Sequence, residues 1–432
     1  QRNSAEMLYM ARITRQFPIL CVALVLFAAP FSVWGDERDQ ARRIHDRLTG
    51  VPPSDAMLDA LTDAVAGGDA VAAALYAIDG APGVAASGQF YTTVLKNWST
   101  PWTNEAQDAF APLNDYSATV IGAVRDELDF RQILSADLIY VGSLGNLPAY
   151  SVNNNDHYAA LESAGADLGD PQVLTRRAQS NVTGLAAEAV AGVMTSRASA
   201  RAYFVDGTNR AMFRFTVLNH LCMDLEQLKD GTRPTDRIRQ DISRSPGGDS
   251  RLFLNSCVDC HAGMDPMAQA FAYYDFPYPG EDEQPGLELE QRKDLGRIAY
   301  TPGVVQGKYL INAASFPTGY ITTDDHWTNY WRLGDNSGRI GWQLPAENTG
   351  ASDAALNPAY SEGDGAASLG RELANTEAFA QCQVKKAFRS ICVREPGPAD
   401  AASVSSFVSA FNGGGNMKQV FAQVAAYCAA DL

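Results

Sequence analysis

The sequence is short of positive charge, and this shortage narrows the range of partners. Its 34 Lys and Arg residues face 50 Asp and Glu residues, which gives a formal net charge of −16 at pH 7. Nucleic acids and anionic lipid surfaces carry negative charges that an acidic protein repels. We therefore expect neither as a partner. An acidic surface mainly keeps a protein soluble, and it also suits a basic partner protein.

Several common signatures of catalysis and nucleotide binding are missing. The sequence contains no GxSxG nucleophile turn, no glycine-rich phosphate loop, no HExxH pair and no internal repeat. It has only five histidines and seven cysteines. The chemistry that this sequence suggests therefore depends on how those few residues are spaced.

The long apolar run in the sequence stands near its start. Arg12 and Arg15 precede the run, which extends from Phe17 to Val33, and Gly35 ends a stretch of small residues. This order is typical of an export signal, here with an upstream extension. We predict cleavage near Gly35 in preference to a retained anchor, and a periplasmic or otherwise exported bacterial protein. No membrane span is expected after residue 35.

The strongest chemical signal is the run from Cys257 to His261, which reads Cys-Val-Asp-Cys-His. CxxCH is the attachment signature of c-type haem, because two thiols one helical turn apart each add to a vinyl group and the adjacent imidazole reaches the iron. We predict one covalent haem c on Cys257 and Cys260, with His261 as the proximal axial ligand. Export agrees with this prediction, since bacteria attach haem c outside the cytoplasmic membrane.

Two other uses of the same residues remain open. Cys257, Cys260 and His261 are also suitable zinc ligands, and the two thiols resemble a thioredoxin-type redox pair. A zinc site needs a fourth ligand, usually from a second short-spaced pair, and the sequence has no second CxxC and no HxxxH. Haem is the favoured interpretation.

The second axial position of the iron separates an electron carrier from an enzyme, because an open position admits small ligands. Met264 follows His261 too closely to reach the opposite face. The distal ligand should come from a remote segment. The candidates, in order of preference, are His326, Met417 and Met223, with Met212 and His220 as further possibilities.

Four cysteines lie outside both the CxxCH motif and the apolar run. An even number of cysteines favours two disulfides in an oxidising compartment. They are Cys222, Cys382, Cys392 and Cys428. A continuous helix would separate Cys382 from Cys392 by ~15 Å, too far for a bridge. If the last two helices run antiparallel, Cys382 pairs with Cys428 and Cys222 with Cys392.

Apolar periodicity predicts a mainly α-helical, loop-rich fold. Ser54 and Asp69 are expected to cap consecutive helices. A turn at Gly263–Pro266 is expected to end the attachment helix, and residues 277–365 are expected to form loops with one small hairpin. Trp98 and Trp102 are interpreted as packing residues, with a cofactor pocket as the minor alternative.

The residues after position 35 exceed what one hydrophobic core usually holds, so several domains are expected. A cytochrome c-like haem module should occupy part of the second half. The predicted segments are a signal peptide at 1–35, an N-terminal helical domain at 36–135, a central helical and loop domain at 136–250, a c-type haem module at 251–365, and a C-terminal helical hairpin at 366–432.

Five segments, in order, carry a resemblance to a known family. They are Arg47–Gly50 with Pro52 and Pro53, Phe130–Tyr140, Gly207–Arg210 leading to Cys222, Cys257–Pro266, and Phe379 with Cys382. The chain resembles the large bacterial single-haem cytochrome c-like proteins, first noticed in planctomycetes, that contain several recurring modules of unknown function. The resemblance implies a mostly helical exported protein with haem c on Cys257, Cys260 and His261, and it implies no substrate. Met267–Gln269 depart from the Gly-Phe-Ala of many relatives.

Together these features predict a periplasmic protein that transfers one electron through its haem to or from a redox partner protein. Because the chain is acidic, a basic partner protein would suit it best. A peroxidase-like haem enzyme with an open distal side is the alternative. A binding or scaffold protein with an appended haem module also remains open, since single-haem carriers are usually much smaller.

Overall fold

Helices dominate the chain because apolar residues recur at helical spacing and polar side chains cap the helix starts. We describe a computed structural model over residues 37–205, 207–347 and 359–430; the predicted signal segment lies outside these ranges. Ser54 accepts a hydrogen bond from the Met57 amide over 3.2 Å, and Asp69 accepts one from the Ala72 amide over 2.8 Å. Both predicted caps and the mainly helical fold class are confirmed.

The first half of the described chain consists of helices and one two-stranded sheet. In order they are α1 (Glu37–Thr49), α2 (Asp55–Ala66), α3 (Ala70–Asp79), α4 (Lys96–Ser99), α5 (Asp115–Arg125), β1 (Ile139–Gly142), α6 (Asp156–Ser163), β2 (Leu174–Arg177), α7 (Gln179–Thr183), α8 (Arg197–Tyr203), α9 (Arg210–Leu221) and α10 (Leu225–Leu228). A π turn at Phe90–Leu95 leads directly into α4.

The second half contains short strands between helices and ends in helices alone. Its elements are α11 (Ser250–Leu252), α12 (Val258–Ala268), β3 (Tyr274–Asp275), α13 (Leu289–Asp294), β4 (Ala299–Tyr300), β5 (His326–Asn329), α14 (Asp335–Ile340), β6 (Ser361–Asp364), α15 (Gly365–Ala374), α16 (Glu377–Cys392), α17 (Ala401–Gly414) and α18 (Met417–Ala430). Strands β1 and β2, β3 and β4, and β5 and β6 form antiparallel pairs.

Helices from the two ends of the described chain share one core. Helix α18 packs against α1 and α3. The Arg43 guanidinium donates to the Ala429 carbonyl over 3.1 Å, and Lys418 Nζ lies 2.8 Å from the Asp79 carboxylate. Residues beyond position 35 form one compact unit, and the domain division proposed within it stays a prediction. In the described ranges, no helix has both the length and the apolar character needed to cross a bilayer.

The C-terminal segment, predicted as a helical hairpin, instead holds α15 to α18. Helix α17 was not expected, and it changes the direction of its neighbours. Because α17 reverses the chain between α16 and α18, the C-terminal ends of α16 and α18 lie together. Cys392 and Cys428 stand at those ends with their Cα atoms 5.6 Å apart, and they form a disulfide.

The other disulfide joins α9 to α16. Cys222 follows the last residue of α9 in the left-handed conformation, with φ 56°. Its Cα lies 5.3 Å from that of Cys382 near the start of α16, and the two form a disulfide. The expected pairing of Cys382 with Cys428 and Cys222 with Cys392 is therefore wrong. It assumed that α16 and α18 form an antiparallel pair, whereas α17 lies between them in the chain and brings their C-terminal ends together.

His326 lies in β5, and a carboxylate of β6 faces each of its two ring nitrogens. Its Nδ1 lies 2.8 Å from the Asp364 carboxylate and its Nε2 lies 3.0 Å from the Glu362 carboxylate. Burial alone would lower the pKa of His326, but these two carboxylates outweigh burial and raise the pKa above its usual value. The folded chain therefore holds the His326 proton more tightly than the unfolded chain does.

This raised pKa predicts a pH-dependent effect of a His326→Gln substitution. The stabilisation from a raised pKa is complete below the unfolded pKa and is lost as pH rises through the folded pKa. At about pH 5.5 we expect the variant to be less stable than the parent by about 1–3 kcal/mol, with the difference shrinking towards about pH 9. Urea unfolding at both pH values measures this difference.

His45→Gln is the matched control for that measurement. Burial lowers the pKa of His45, so its neutral form is favoured in the folded chain. The stability difference between the parent and His45→Gln should therefore grow as pH rises, opposite to the trend for His326→Gln. A difference for His326→Gln that stays constant or grows with pH would contradict the raised pKa.

Candidate haem-attachment site

The CxxCH run lies where a π turn meets α12. The backbone is helical through α11, the π turn Phe253–Cys257 and α12. Cys257 ends the π turn, and Cys260 and His261 lie in the first turn of α12. The turn expected at Gly263–Pro266 is wrong, since α12 continues to Ala268 with Pro266 inside it. Proline in a helix removes one backbone hydrogen bond and crowds the carbonyl four residues earlier, and Pro266 stands only two residues before the helix end.

Close packing against Trp331 holds α12 in place. Gly263 faces the buried Trp331 indole so closely that a Cβ at this position would overlap the ring. Only glycine therefore allows this approach without a shift of the helix or the indole. The Trp331 ring also packs against Phe213 of α9, with ring centroids 5.7 Å apart. The helix that carries the motif is thus fixed against the main core.

The two motif thiols differ from the other described cysteines. Cys257 and Cys260 are both half-buried and stand outside the two disulfides. The Cys260 Sγ lies 3.6 Å from the Leu225 carbonyl oxygen. Burial, followed by the charge of Glu226, raises the pKa of the Cys260 thiol.

His261 is oriented by a carboxylate on the same helix face. Its Nδ1 lies 3.0 Å from Oδ1 of Asp265, which follows four residues later. When Nδ1 carries the proton and donates it to this carboxylate, the lone pair of Nε2 is available to a metal. Histidines that bind metals commonly hold their second ring nitrogen in this way. The His261 side chain is 17% exposed, whereas the Asp265 side chain is fully buried.

A half-buried arginine anchors that carboxylate to α9. Arg210 Nε donates to Asp265 over 2.7 Å, and Arg210 Nη1 donates to Asp241 over 2.8 Å. The Arg239 amide donates to the second oxygen of Asp265 over 3.2 Å. Burial would raise the pKa of Asp265, but Arg210 and then His261 hold it well below its usual range. Asp265 is thus a fixed anion that orients His261.

Sequence reasoning missed Asp265 and Arg210 as site residues. The available signal was the spacing of His261 and Asp265, which places both on one helix face if the helix continues. The expected turn at Gly263–Pro266 hid that relation. The contribution of Arg210 carried no local signal, because it lies 55 residues before Asp265 in the chain.

Apolar surface adjoins the motif. Leu252 and Leu254 precede it on the same helical run and are 50% and 62% exposed. A separate small apolar cluster touches Cys257 and Val258; its buried members are Ile238, Phe253 and Ala262. A flat apolar group bound at the thiols would find apolar side chains beside it. The two half-buried thiols, the oriented imidazole and this apolar surface are groups of the kinds that haem c attachment uses.

The two preferred distal candidates are engaged elsewhere. Both ring nitrogens of His326 contact carboxylates, as described above. Met417 begins α18 and is 1% exposed in the core that α18 shares with α1 and α3. The further candidates Met212 and His220 are also buried, and His220 Nε2 lies 2.7 Å from the Tyr116 hydroxyl. Each would have to leave these surroundings to reach an iron.

Met223 has the most suitable surroundings among the candidates. It lines a cavity of about 620 Å³ together with Glu226 and Lys229. Leu225, whose carbonyl contacts the Cys260 thiol, lies two residues further along the chain. The third-ranked sequence candidate thus lies two residues before a backbone carbonyl that contacts Cys260.

Within the described ranges, no three His, Cys, Asp or Glu side chains are gathered to hold a bare metal ion. A zinc site requires several side chains around one point, whereas haem c requires two thiols and one imidazole spaced by a porphyrin. Comparison with protein-family models, curated proteins and solved structures gave no match to this chain. The functional conclusion therefore rests on the geometry of the chain's own residues.

Proposed function

We propose that this protein is an exported c-type cytochrome-like protein that carries one covalent haem and transfers single electrons. The observation that carries the proposal is the arrangement at the start of α12: Cys257 and Cys260 are half-buried thiols outside the disulfides, and Nδ1 of His261 contacts Asp265, which leaves Nε2 for a metal when Nδ1 carries the proton. The sequence resemblance to the single-haem family supports the same cofactor. Haem bound here supplies a one-electron iron couple.

The chain's residues have distinct roles in this proposal. Cys257 and Cys260 would hold the haem covalently through their thiols, and His261 would hold it through Nε2. Asp265 fixes the tautomer and orientation of the His261 ring. Arg210 keeps Asp265 ionised through the contacts described above. These interactions make the proximal side rigid, which suits a carrier that must change redox state without rearranging.

Export and the redox partner belong to the same proposal. The apolar run at residues 17–33 supports export, and two disulfides are compatible with an oxidising compartment. The net charge of −16 favours a basic redox protein as partner, because opposite charges accelerate encounter.

A peroxidase-like enzyme is the second candidate, and one structural observation favours it. His326, Met417 and His220 are all engaged or buried away from the motif, which is compatible with an open distal side. A buried carboxylate on the proximal histidine also raises the basicity of that ligand. The electron-carrier function, by contrast, depends on Met223 as the distal ligand.

Optical spectra of the purified exported protein test both candidates. We expect a pyridine haemochrome typical of haem c that survives acid–acetone extraction, with one haem per chain. If Met223 completes the coordination, the reduced protein should resist carbon monoxide, and Met223→Ala should bind it readily. Met417→Ala is the matched control and should leave the spectrum unchanged.

The outcomes separate the alternatives. Ready binding of carbon monoxide by the parent protein, with high-spin ferric bands, would favour the enzyme over the carrier. Covalent haem would be retained in both cases. Absence of covalent haem from the exported protein would overturn the proposal as a whole.

A further inference from the structure

Cys222 also lines a second cavity, whose character differs from that of the cavity lined by Met223. Its volume is about 640 Å³, which is within the range of small-molecule sites. Helices α1, α4, α9 and α16 contribute its lining. We call it the basic cavity and define it by Arg47, Trp98, Trp102, Lys385, Lys386 and Arg389.

The charge of this lining is opposite to that of the whole chain. Four of the lining residues are cationic, and no carboxylate residue is among the described residues that form the wall. The whole sequence has 50 acidic against 34 basic residues, so a cavity surrounded by cations is unexpected from composition. Glu395, which is not part of the wall, forms an ion pair with Arg389 over 2.5 Å, and because both side chains are about half exposed, solvent weakens this pair.

The cations are held mainly by neutral groups. Lys386 Nζ donates to the Asn219 carbonyl, and Arg47 Nη1 donates to the Ile391 carbonyl over 3.0 Å. Carbonyl oxygens position these groups but leave their positive charge uncancelled. Burial and then Arg389 lower the pKa of Lys386 well below its usual value. A bound anion would relieve both effects.

Two indole rings stand in the rest of the wall, among apolar and neutral polar residues. The Trp98 and Trp102 rings pack edge to face with centroids 4.5 Å apart, and Lys386 Nζ lies 4.1 Å from the Trp102 centroid. Trp98 is 8% exposed, and its Nε1 is buried without a hydrogen-bond partner in the described chain. Cations beside indole rings suit a ligand with an anionic head and a flat apolar body.

We propose that the basic cavity binds a small aromatic carboxylate, with the carboxylate held by Lys386, Lys385 and Arg389 and the ring held against Trp98 and Trp102. The site uses none of the haem-attachment residues. Its existence is therefore independent of the proposed electron transfer, and either proposal can fail alone.

Calorimetric titration of the full exported protein at low ionic strength tests this site. The probes are 2-naphthoate, its neutral amide 2-naphthamide and the cation 2-naphthylmethylammonium. We expect 2-naphthoate to bind about tenfold or more tightly than 2-naphthamide, and the cation not to bind. Equal affinity for the acid and the amide, or no binding of 2-naphthoate, would overturn the proposal.

Charge-removing variants locate the site. Lys386→Gln should weaken 2-naphthoate binding about tenfold while a glutamine can still donate to the Asn219 carbonyl. Lys385→Gln removes an exposed charge of the same helix and should weaken binding without affecting folding. Lys229→Gln, an exposed lysine outside the cavity, is the matched control and should bind like the parent. Unchanged affinity in both cavity variants would overturn the assignment.

Discussion

Replacement of both Cys257 and Cys260 with alanine is expected to reduce covalent haem from one per chain to none. The thioether bonds require these two thiols, and the other described cysteines are held in disulfides. The fold should survive, because both side chains are half-buried and neither belongs to the main hydrophobic core. Haem staining after denaturing electrophoresis, with intact-protein mass, measures the loss, and circular dichroism checks the helical content.

Single replacements and a distant pair provide the controls. Cys257→Ala or Cys260→Ala alone should retain one thioether and lower the yield of loaded protein. Cys392→Ala with Cys428→Ala also removes two cysteines, but at the ends of α16 and α18, and should keep its covalent haem. Covalent haem in the Cys257→Ala, Cys260→Ala double variant would show that the motif is not the attachment site.

Loss of the Cys222–Cys382 disulfide is expected to lower the free energy of unfolding by about 2–5 kcal/mol. The bridge closes a separation of 160 residues, so it restricts the unfolded chain strongly. It also joins the end of α9 to α16. The start of α9 carries Arg210, which donates to Asp265. Urea unfolding of Cys222→Ala with Cys382→Ala under oxidising conditions measures the change.

The second disulfide gives an internal comparison. Cys392 and Cys428 are only 36 residues apart, so removing their bridge should cost less in a chain-entropy account. A non-reduced peptide map should show Cys222 linked to Cys382 and Cys392 linked to Cys428. A peptide linking Cys382 to Cys428 would contradict this connectivity, and an unchanged unfolding free energy would contradict the expected stabilisation.

Local signals in the sequence were sufficient for many helices. Ser54 and Asp69 both cap helices as expected, because a cap is a hydrogen bond to an amide within three residues. The periodicity that predicted α16 and α18 is likewise local. By contrast, α17 was missed, and with it the direction of α18. A single missed helix was enough to change both disulfide partners.

The surroundings of the candidate haem-attachment site could not be predicted from local sequence signals. Helix α12 continues past Pro266 to Ala268, and it packs at Gly263 against Trp331, which is remote in sequence. Trp98 and Trp102 were expected to be packing residues; they are buried and at the same time form a wall of the basic cavity. That second role depends on cations contributed by α1 and α16.

The sequence by itself determined the helical class, the helix caps and the CxxCH run, since each depends on residues within about one or two helical turns. Tertiary structure alone decided that Asp265 orients His261 while bound to Arg210, that the Leu225 carbonyl contacts the Cys260 thiol, and that cations gather around Trp98 and Trp102. The physical reason is that these relations join segments far apart in the chain, and only packing fixes which segments meet.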